Sequence, residues 1–411
     1  MRATVPWMWL LVGCAGSEGP SAVDDPARST DPDDPTSDPT DDPTDDVTED
    51  PTDAEPLHVW EVDFGEAWVL DVPDATHPQV AFGSGLDGRL VFDGGRPEST
   101  WAVELSPSGP QGRPWPYIPS VSGFSTPDLA WSGSGWVISA RVAQQVALAV
   151  EEDGEPALLP LGDAAPLPFF AAPRVVSTDE GIGVVWWEAR PASDPDGDAY
   201  WLSWRSPDGD VADPVPVARA GGLGSPVAAT TGPSGWWLAY SEGQAVMVAS
   251  VAGDQVGPAT RVDQGGLAVP ERPALAVDGS GAMAVGWRQQ DAEQNGSGVR
   301  LRLWDPAGQP LTDELILGLD PDRANRIALA CDGAVLVAAW DEGGGDDGDV
   351  ALQFFDMVDG GPLTGPLVAH ADRAGHQQRP AVALRAGVDG WTAHVVFEDD
   401  GWLTGVAVTL R

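Results

Sequence analysis

From residue 67 to its last residue the chain is written in short apolar stretches separated by clusters of Gly, Asp, Ser and Pro. One stretch shows the grammar. Pro273-Ala274-Leu275-Ala276-Val277 is a continuous apolar run, Asp278-Gly279-Ser280-Gly281 a turn, and Ala282-Met283-Ala284-Val285-Gly286-Trp287 a second run ending on an aromatic. After a polar loop, Val299-Arg300-Leu301-Arg302-Leu303-Trp304 alternates, Asp305-Pro306-Ala307-Gly308 turns again, and Leu315-Ile316-Leu317 completes the unit. Runs this short, bounded by turn formers, predict four strands and no long helix.

The unit recurs. Pro78, Pro127, Pro173, Pro226, Pro273, Arg326 and Pro380 occupy equivalent places, at intervals of 49, 46, 53, 47, 53 and 54 residues. The second runs align as Gly135-Trp136-Val137-Ile138-Ser139, Gly183-Val184-Val185-Trp186-Trp187, Gly235-Trp236-Trp237-Leu238-Ala239-Tyr240, Val335-Leu336-Val337-Ala338-Ala339-Trp340 and Gly390-Trp391-Thr392-Ala393-His394-Val395-Val396-Phe397, with Arg89-Leu90-Val91-Phe92 as a more divergent counterpart. A period near 50 with four strands per unit predicts an all-β, seven-bladed β-propeller over residues 57–411. The recurring aromatic is expected to pack blade against blade. The last repeat supplies three strands and stops at Arg411, while residues 67–72 stand unmatched ahead of the first. Pairing the two would complete blade seven and remove an exposed sheet edge. The stretch from Val59 to Phe64 competes for the same role.

The body resembles the broad class of bacterial secreted β-propellers built on a repeated Pro-Ala-Val plus Gly-Trp pattern, a resemblance of architecture that assigns no activity. It departs from the sialidases. Ser206-Pro207-Asp208-Gly209 lacks the remainder of an Asp-box, and no arginine triad with a tyrosine nucleophile is evident.

The amino-terminal residues follow other rules. Arg2 precedes the apolar run Val5-Pro6-Trp7-Met8-Trp9-Leu10-Leu11-Val12, too short to span a bilayer but suited to a secretory signal over residues 1–13. Leu11-Val12-Gly13-Cys14 resembles the lipobox of bacterial lipoproteins. That resemblance implies diacylglycerol on the Cys14 sulfur, cleavage before it and an outer-membrane anchor, since Ala15 follows. An ordinary signal peptide is the alternative. Residues 14–56 then form a tether of repeated Asp-Pro-Thr, as in Asp38-Pro39-Thr40-Asp41-Asp42-Pro43-Thr44, with nothing apolar to bury and an expectation of disorder. The propeller would thus sit in the periplasm or at the cell surface.

Charge narrows the partners. The chain carries 64 acids against 21 bases, a net of -43, and contains no Lys. Residues 57–411 alone hold 49 acids and 19 bases, so the acidity belongs to the body as well as the tether. A surface this negative repels phosphate backbones, which excludes nucleic acid as an expected partner and favours cations, basic proteins or glycans. Cys14 and Cys331 are the only cysteines, so no disulfide framework is expected, and Cys331 in an apolar run reads as an inert thiol.

Candidate chemistry collects on one face, where the loops between second and third strands lie. Glu188, Glu242, Asp341, Glu342 and Glu398 stand at or beside the ends of second strands and form a candidate ligand-facing carboxylate set. Farther along two loops, Asp194, Asp196 and Asp198, and Asp346, Asp347 and Asp349, could direct oxygens at Ca²⁺, but their glycine positions do not fit an EF-hand loop and solvated hairpin tips rich in turn-forming Asp are the reading the same residues favour. No other cofactor is expected. His370, Asp372 and His376 share one loop and could hold a transition metal. With no localised catalytic motif, the expected function is a non-catalytic binding or scaffold domain, with a polysaccharide hydrolase or lyase as the alternative.

Overall fold

The computed structural model describes residues 60–85, 87–94, 99–118, 126–143, 145–152, 155–161, 172–188, 198–219, 226–265, 269–290, 297–318, 326–343, 348–370 and 375–411. All of these belong to the second of two units into which the chain divides, at Leu57 and His58. Cys14 and the tether lie outside the described residues.

Every described element is a strand, and the strands form seven separate antiparallel sheets. Blade 1 comprises Thr76–Phe82, Gly88–Gly94, Ser99–Ser106 and Gly109–Ile118. Blade 2 runs from Asp128–Trp131 to Glu155–Leu161, blade 3 from Arg174–Thr178 to Val215–Arg219, and blade 5 from Val269–Val277 to Leu315–Leu317. Blade 4 starts at Ala228–Gly232 and ends on two short edge strands, Gln255–Val256 and Thr260–Arg261. Blade 6 starts at Ile327–Asp332 and ends at Leu367–Val368. The repeats of the sequence are therefore the blades of a propeller.

Blade 7 has Gln377–Gly387, Gly390–Asp399 and Trp402–Leu410 from the carboxyl end, and its outer strand comes from the other end of the body. Both competing segments are used. Val62–Phe64 pairs with the last strand through Val62 opposite Leu410, and Trp68–Leu70 pairs with the same strand through Trp68 opposite Gly405. Between them the chain stays attached, since Gly65 N donates to Ala407 O at 2.8 Å. Trp68 explains the register: its indole lies over Gly405 so closely that a Cβ there would collide with the ring.

The core is a ring rather than a centre. Seven apolar clusters occur, and each is shared by two neighbouring blades. Leu336, Ala338 and Trp340 of blade 6 pack against Ala276, Leu301 and Leu303 of blade 5, for example. The cluster that joins blade 7 to blade 1 sets Val396 and Leu403 against Leu90, Phe92 and Val103, with Leu70 of the closing strand. Phe92, Trp187, Tyr240, Trp287, Trp340 and Phe397, the aromatics at the ends of the second strands, are all buried. Blades 1 and 2 are also joined by buried Arg89, which reaches Glu151 at 2.9 Å and lies 5.1 Å from the Trp136 ring. Cys331 packs against the cluster between blades 5 and 6, and burial pushes its thiol up to about 12, as suits an inert group.

One buried group makes the ring sensitive to acid. His394 is fully buried in the middle of blade 7, with its ring 5.3 Å from Phe82 of blade 1 and both ring nitrogens without a hydrogen-bond partner. Burial pushes its pKa from 6.5 to about 4. The folded state therefore binds this proton less readily than the unfolded chain, so stability is full above pH 6.5 and falls as the pH drops toward 4. At about 1.4 kcal/mol per unit the loss approaches 3 kcal/mol. His394→Phe should remove it, so the difference in unfolding free energy between variant and wild type should widen by about 3 kcal/mol from pH 7 to pH 4. Urea titrations across that range check this, and a constant difference would show that His394 is protonated as easily in the fold as out of it.

Candidate functional site: the channel and its mouth

The first strands of all seven blades line a central cavity of about 360 Å³, with Gln79, Asp128, Arg174, Thr230 and Leu329 among the residues on its wall. In an antiparallel blade the start of the first strand and the end of the second lie at the same end of the channel. That end is the mouth where the candidate carboxylates were expected.

The mouth is built on a backbone feature repeated from blade to blade. The residue before the conserved-register proline takes a positive φ in five blades: His77 at 52°, Thr126 at 42°, Ala172 at 31°, Arg272 at 50° and Arg379 at 54°. A side chain is strained there, and proline after it makes the extended conformation the usual choice. In blades 1, 5 and 7 the strand pairing slips at this point, with breaks between Thr76 and Gln79, Glu271 and Ala274, and Gln378 and Ala381. The bulge turns the N–H of the strained residue out of the ladder, and it needs another acceptor.

The neighbouring blade provides one. Thr126 N donates to Asp93 of blade 1 at 2.9 Å, Arg379 N to Asp341 of blade 6 at 3.2 Å, and His77 N to Glu398 of blade 7 at 2.8 Å. Each acceptor is the residue immediately after the aromatic that ends a second strand. Asp341 also accepts the Arg326 N–H at 2.5 Å, so both its oxygens are engaged. Glu398 additionally accepts from Thr76 Oγ1, Gln378 Nε2 and Arg379 Nη1. These carboxylates latch blade to blade, the last blade to the first included.

The sequence candidates take different places around this geometry. Glu188, Asp341, Glu342 and Glu398 are 5, 3, 7 and 5 % exposed, whereas Glu242 is exposed to solvent. Glu188 stands at the latch position of blade 3. Glu342 accepts the Trp340 indole N–H at 2.7 Å. Asp198 and Asp349 are half-buried at the starts of third strands, and Asp194, Asp196, Asp346 and Asp347 lie outside the described residues. His370 and His376 are described but Asp372 between them is not; His376 N donates to Asp400 at 3.1 Å. Among the described residues no three His, Cys, Asp or Glu are grouped to hold a metal.

Sequence reasoning missed two features. Asp93 is a latch in the most divergent blade, where only the pairing of Phe92 with Asp93 marks the repeat. The second is a group of arginines. Arg272 and Arg379 lie within the first strands of blades 5 and 7, at the residue before the proline, and Arg326 immediately precedes the first strand of blade 6; their charges act on one another. Burial and then Arg288 lower Arg272, while burial and then Arg272 and Arg379 lower Arg326 to about 10. Arg379 has Glu398 at 2.8 Å and Arg288 has Glu271 at 3.3 Å. The charges that act on Arg326 are thus those of Arg272 and Arg379 on one side and of Asp341 and Glu398 on the other. The three tyrosines, Tyr117, Tyr200 and Tyr240, belong to blades 1, 3 and 4, and burial pushes Tyr117 and Tyr240 up to about 12.

No family model matches this chain, and no curated protein does. Solved structures do resemble it. An α-L-arabinanase of Penicillium chrysogenum, complexed with arabinobiose, superposes with a TM-score of 0.50 at 9% identity over 84% of this chain and 98% of that one. A neuraminidase-like protein of A/little yellow-shouldered bat/Guatemala gives 0.43 at 8% identity, over 85% of this chain and 100% of that one. At such identities the likeness shows the fold alone.

The latches yield a stability test. Glu398→Ala should remove one side of a buried charged network and lower the unfolding free energy by about 3–5 kcal/mol. Glu242→Ala, at an exposed site, should change it by no more than about 0.5 kcal/mol. Equal, small effects in chemical denaturation would mean that Glu398 does not hold blade 7 to blade 1.

Proposed function

We propose that the propeller is a non-catalytic binding domain that receives a glycan at this mouth, and that it is carried on the membrane by a lipid at Cys14. The observation that carries the binding reading is the engagement of the mouth carboxylates. Asp341 and Glu398 accept hydrogen bonds on both oxygens from groups that hold them in place. A general acid or base must exchange its proton with substrate, and a nucleophile must present a free lone pair. Glu398, held by Thr76, His77, Gln378 and Arg379, is placed for neither. The latched carboxylates rigidify a polar rim at the mouth of a cavity whose exposed wall is itself largely polar, with Gln79, Asp128, Arg174, Thr230 and Thr231 on it, a lining that suits a hydroxyl-rich ligand. Support for a sugar ligand comes from the arabinanase of similar fold, whose solved structure holds arabinobiose.

A hydrolase reading has one observation in its favour. Asp128 on the channel wall is raised above the usual carboxylate range by burial, against the opposing pull of Arg174 at 3.5 Å. Such a carboxyl holds its proton more tightly than an exposed one, as an acid requires, although its oxygens also accept from Val175 N at 2.8 Å and Arg174 Nη1 at 3.5 Å. Calorimetric titration of the full chain with arabino-oligosaccharides and a panel of polysaccharides, alongside a reducing-end assay, separates the two. Binding without new reducing ends is the expected result; turnover that disappears in Asp128→Asn would replace the binding reading with the hydrolase.

The anchor has its own support in Leu11-Val12-Gly13-Cys14 and the Asp-Pro-Thr tether behind it. Two or three acyl chains at Cys14 would make membrane attachment stable. Intact mass of the protein from a bacterial membrane should show an acylated Cys14 terminus, and a mature terminus of unmodified mass would refute the anchor.

A further inference from the structure

We propose that Arg326, between Arg272 and Arg379 at the channel mouth, is a carboxylate-binding residue, and that the glycan received there bears a uronic acid. This deepens the glycan reading above and rests on it.

The first support is the repeat itself. Six blades place proline where blade 6 places Arg326, and in five of them the residue before that proline takes a positive φ. Exchange of a ring for a guanidinium at one blade introduces a charge where the fold asks only for a rigid, donor-free residue. The Arg326 main-chain N–H is satisfied by Asp341, so the side chain is not needed to hold the turn.

The second support is the state of that side chain. Among the described residues the Arg326 guanidinium makes no hydrogen bond or ion pair, and its Nε is buried. Its two flanking arginines repel it. Asp341 and Glu398 attract it, but Asp341 is closed by two main-chain donors and Glu398 is bonded to Arg379, Gln378 and the start of blade 1. A half-buried, unpaired cation beside two others costs stability unless an anion completes the group.

The third support is selectivity. A body of net charge -30 repels polyanions from a distance, so the ligand must present its negative charge locally and sparsely. A planar carboxylate matches the fork of a guanidinium in two parallel hydrogen bonds. A sugar ring carrying one carboxylate brings that charge on an otherwise neutral body, and the polar groups of the first strands, Gln79, Thr230 and Thr231 among them, offer partners to its hydroxyls.

The test uses the full chain and three probes: a trisaccharide bearing a single galacturonate residue, its methyl ester, and sodium sulfate. The wild type should bind the trisaccharide and not the ester, with sulfate at least tenfold weaker. Arg326→Gln should lose at least tenfold in affinity for the trisaccharide while melting no lower than wild type, because no bond of the fold is removed. A melting temperature several degrees below wild type would show that the guanidinium is a structural partner and would overturn the assignment. Equal binding of acid and ester, unchanged in Arg326→Gln, would overturn it while leaving the glycan reading in place. Equal binding of sulfate would reduce the group to a general anion site and overturn the carboxylate. If the trisaccharide and every neutral glycan of the panel fail to bind, the glycan reading falls and the assignment with it; a Glu-rich peptide bound through Arg326 would make the occupant a protein.

Discussion

Everything in this molecule depends on the need to cover two faces of every blade. A four-stranded sheet with small and aromatic residues on both sides has no stable existence alone, and a row of such sheets leaves the outermost faces open. Only a closed ring covers them all. The chain meets that requirement by returning its first described residues to its last strand, so that Val62–Phe64 and Trp68–Leu70 lie against Trp402–Leu410. The apolar cluster formed there joins two blades, as do the other six among the described residues. Loss of one would expose two apolar faces and a sheet edge at once.

The same closure shapes the mouth. In five blades a strained residue precedes the proline at the head of the first strand, and in three of them the preceding blade's carboxylate receives the displaced N–H. A repeat that alternates aromatic and carboxylate thus performs two tasks with adjacent residues, the ring filling the interface and the acid fastening it. Asp341 and Glu398 are held by donors, and Arg379 and Arg288 are paired with Glu398 and Glu271, whereas among the described residues the Arg326 guanidinium has no such bond. Net charge describes the long-range field; the chemistry of a site is decided by which charges remain unpaired within a few ångströms.

The separate blades also explain why substitutions should differ so sharply in effect. Glu398 lies where blade 7 meets blade 1 and is tied to four residues, while Glu242, two places after its own blade's aromatic, points to water. The two look alike in composition and spacing. His394 belongs to the first kind: it is enclosed by blade 7 and faces Phe82 across the seam, where no water can share its proton.

Strands, turns, blade number and the need for an amino-terminal closing strand were all legible in the sequence, because each follows from local chemistry: period-two alternation, Gly and Asp at turns, and a proline that recurs every 50 residues or so. The burial of the aromatics was legible for the same reason. What only the tertiary structure decided were the contacts between repeats. Glu398 meets His77 across 321 positions, and Arg326 meets the charges of Arg272 and Arg379 from the blades on either side. In sequence these are isolated residues about one period apart, and period alone does not say which side chains turn inward. The carboxylates after Trp340 and Phe397 read as a ligand-facing set, yet they are buried and bonded, since an acid at the end of a second strand lies nearer to the next blade's unpaired N–H than to solvent. The sequence by itself determined how many blades exist and how they are strung; the ring decided which charges are satisfied, because satisfaction depends on a neighbour that only closure brings within reach.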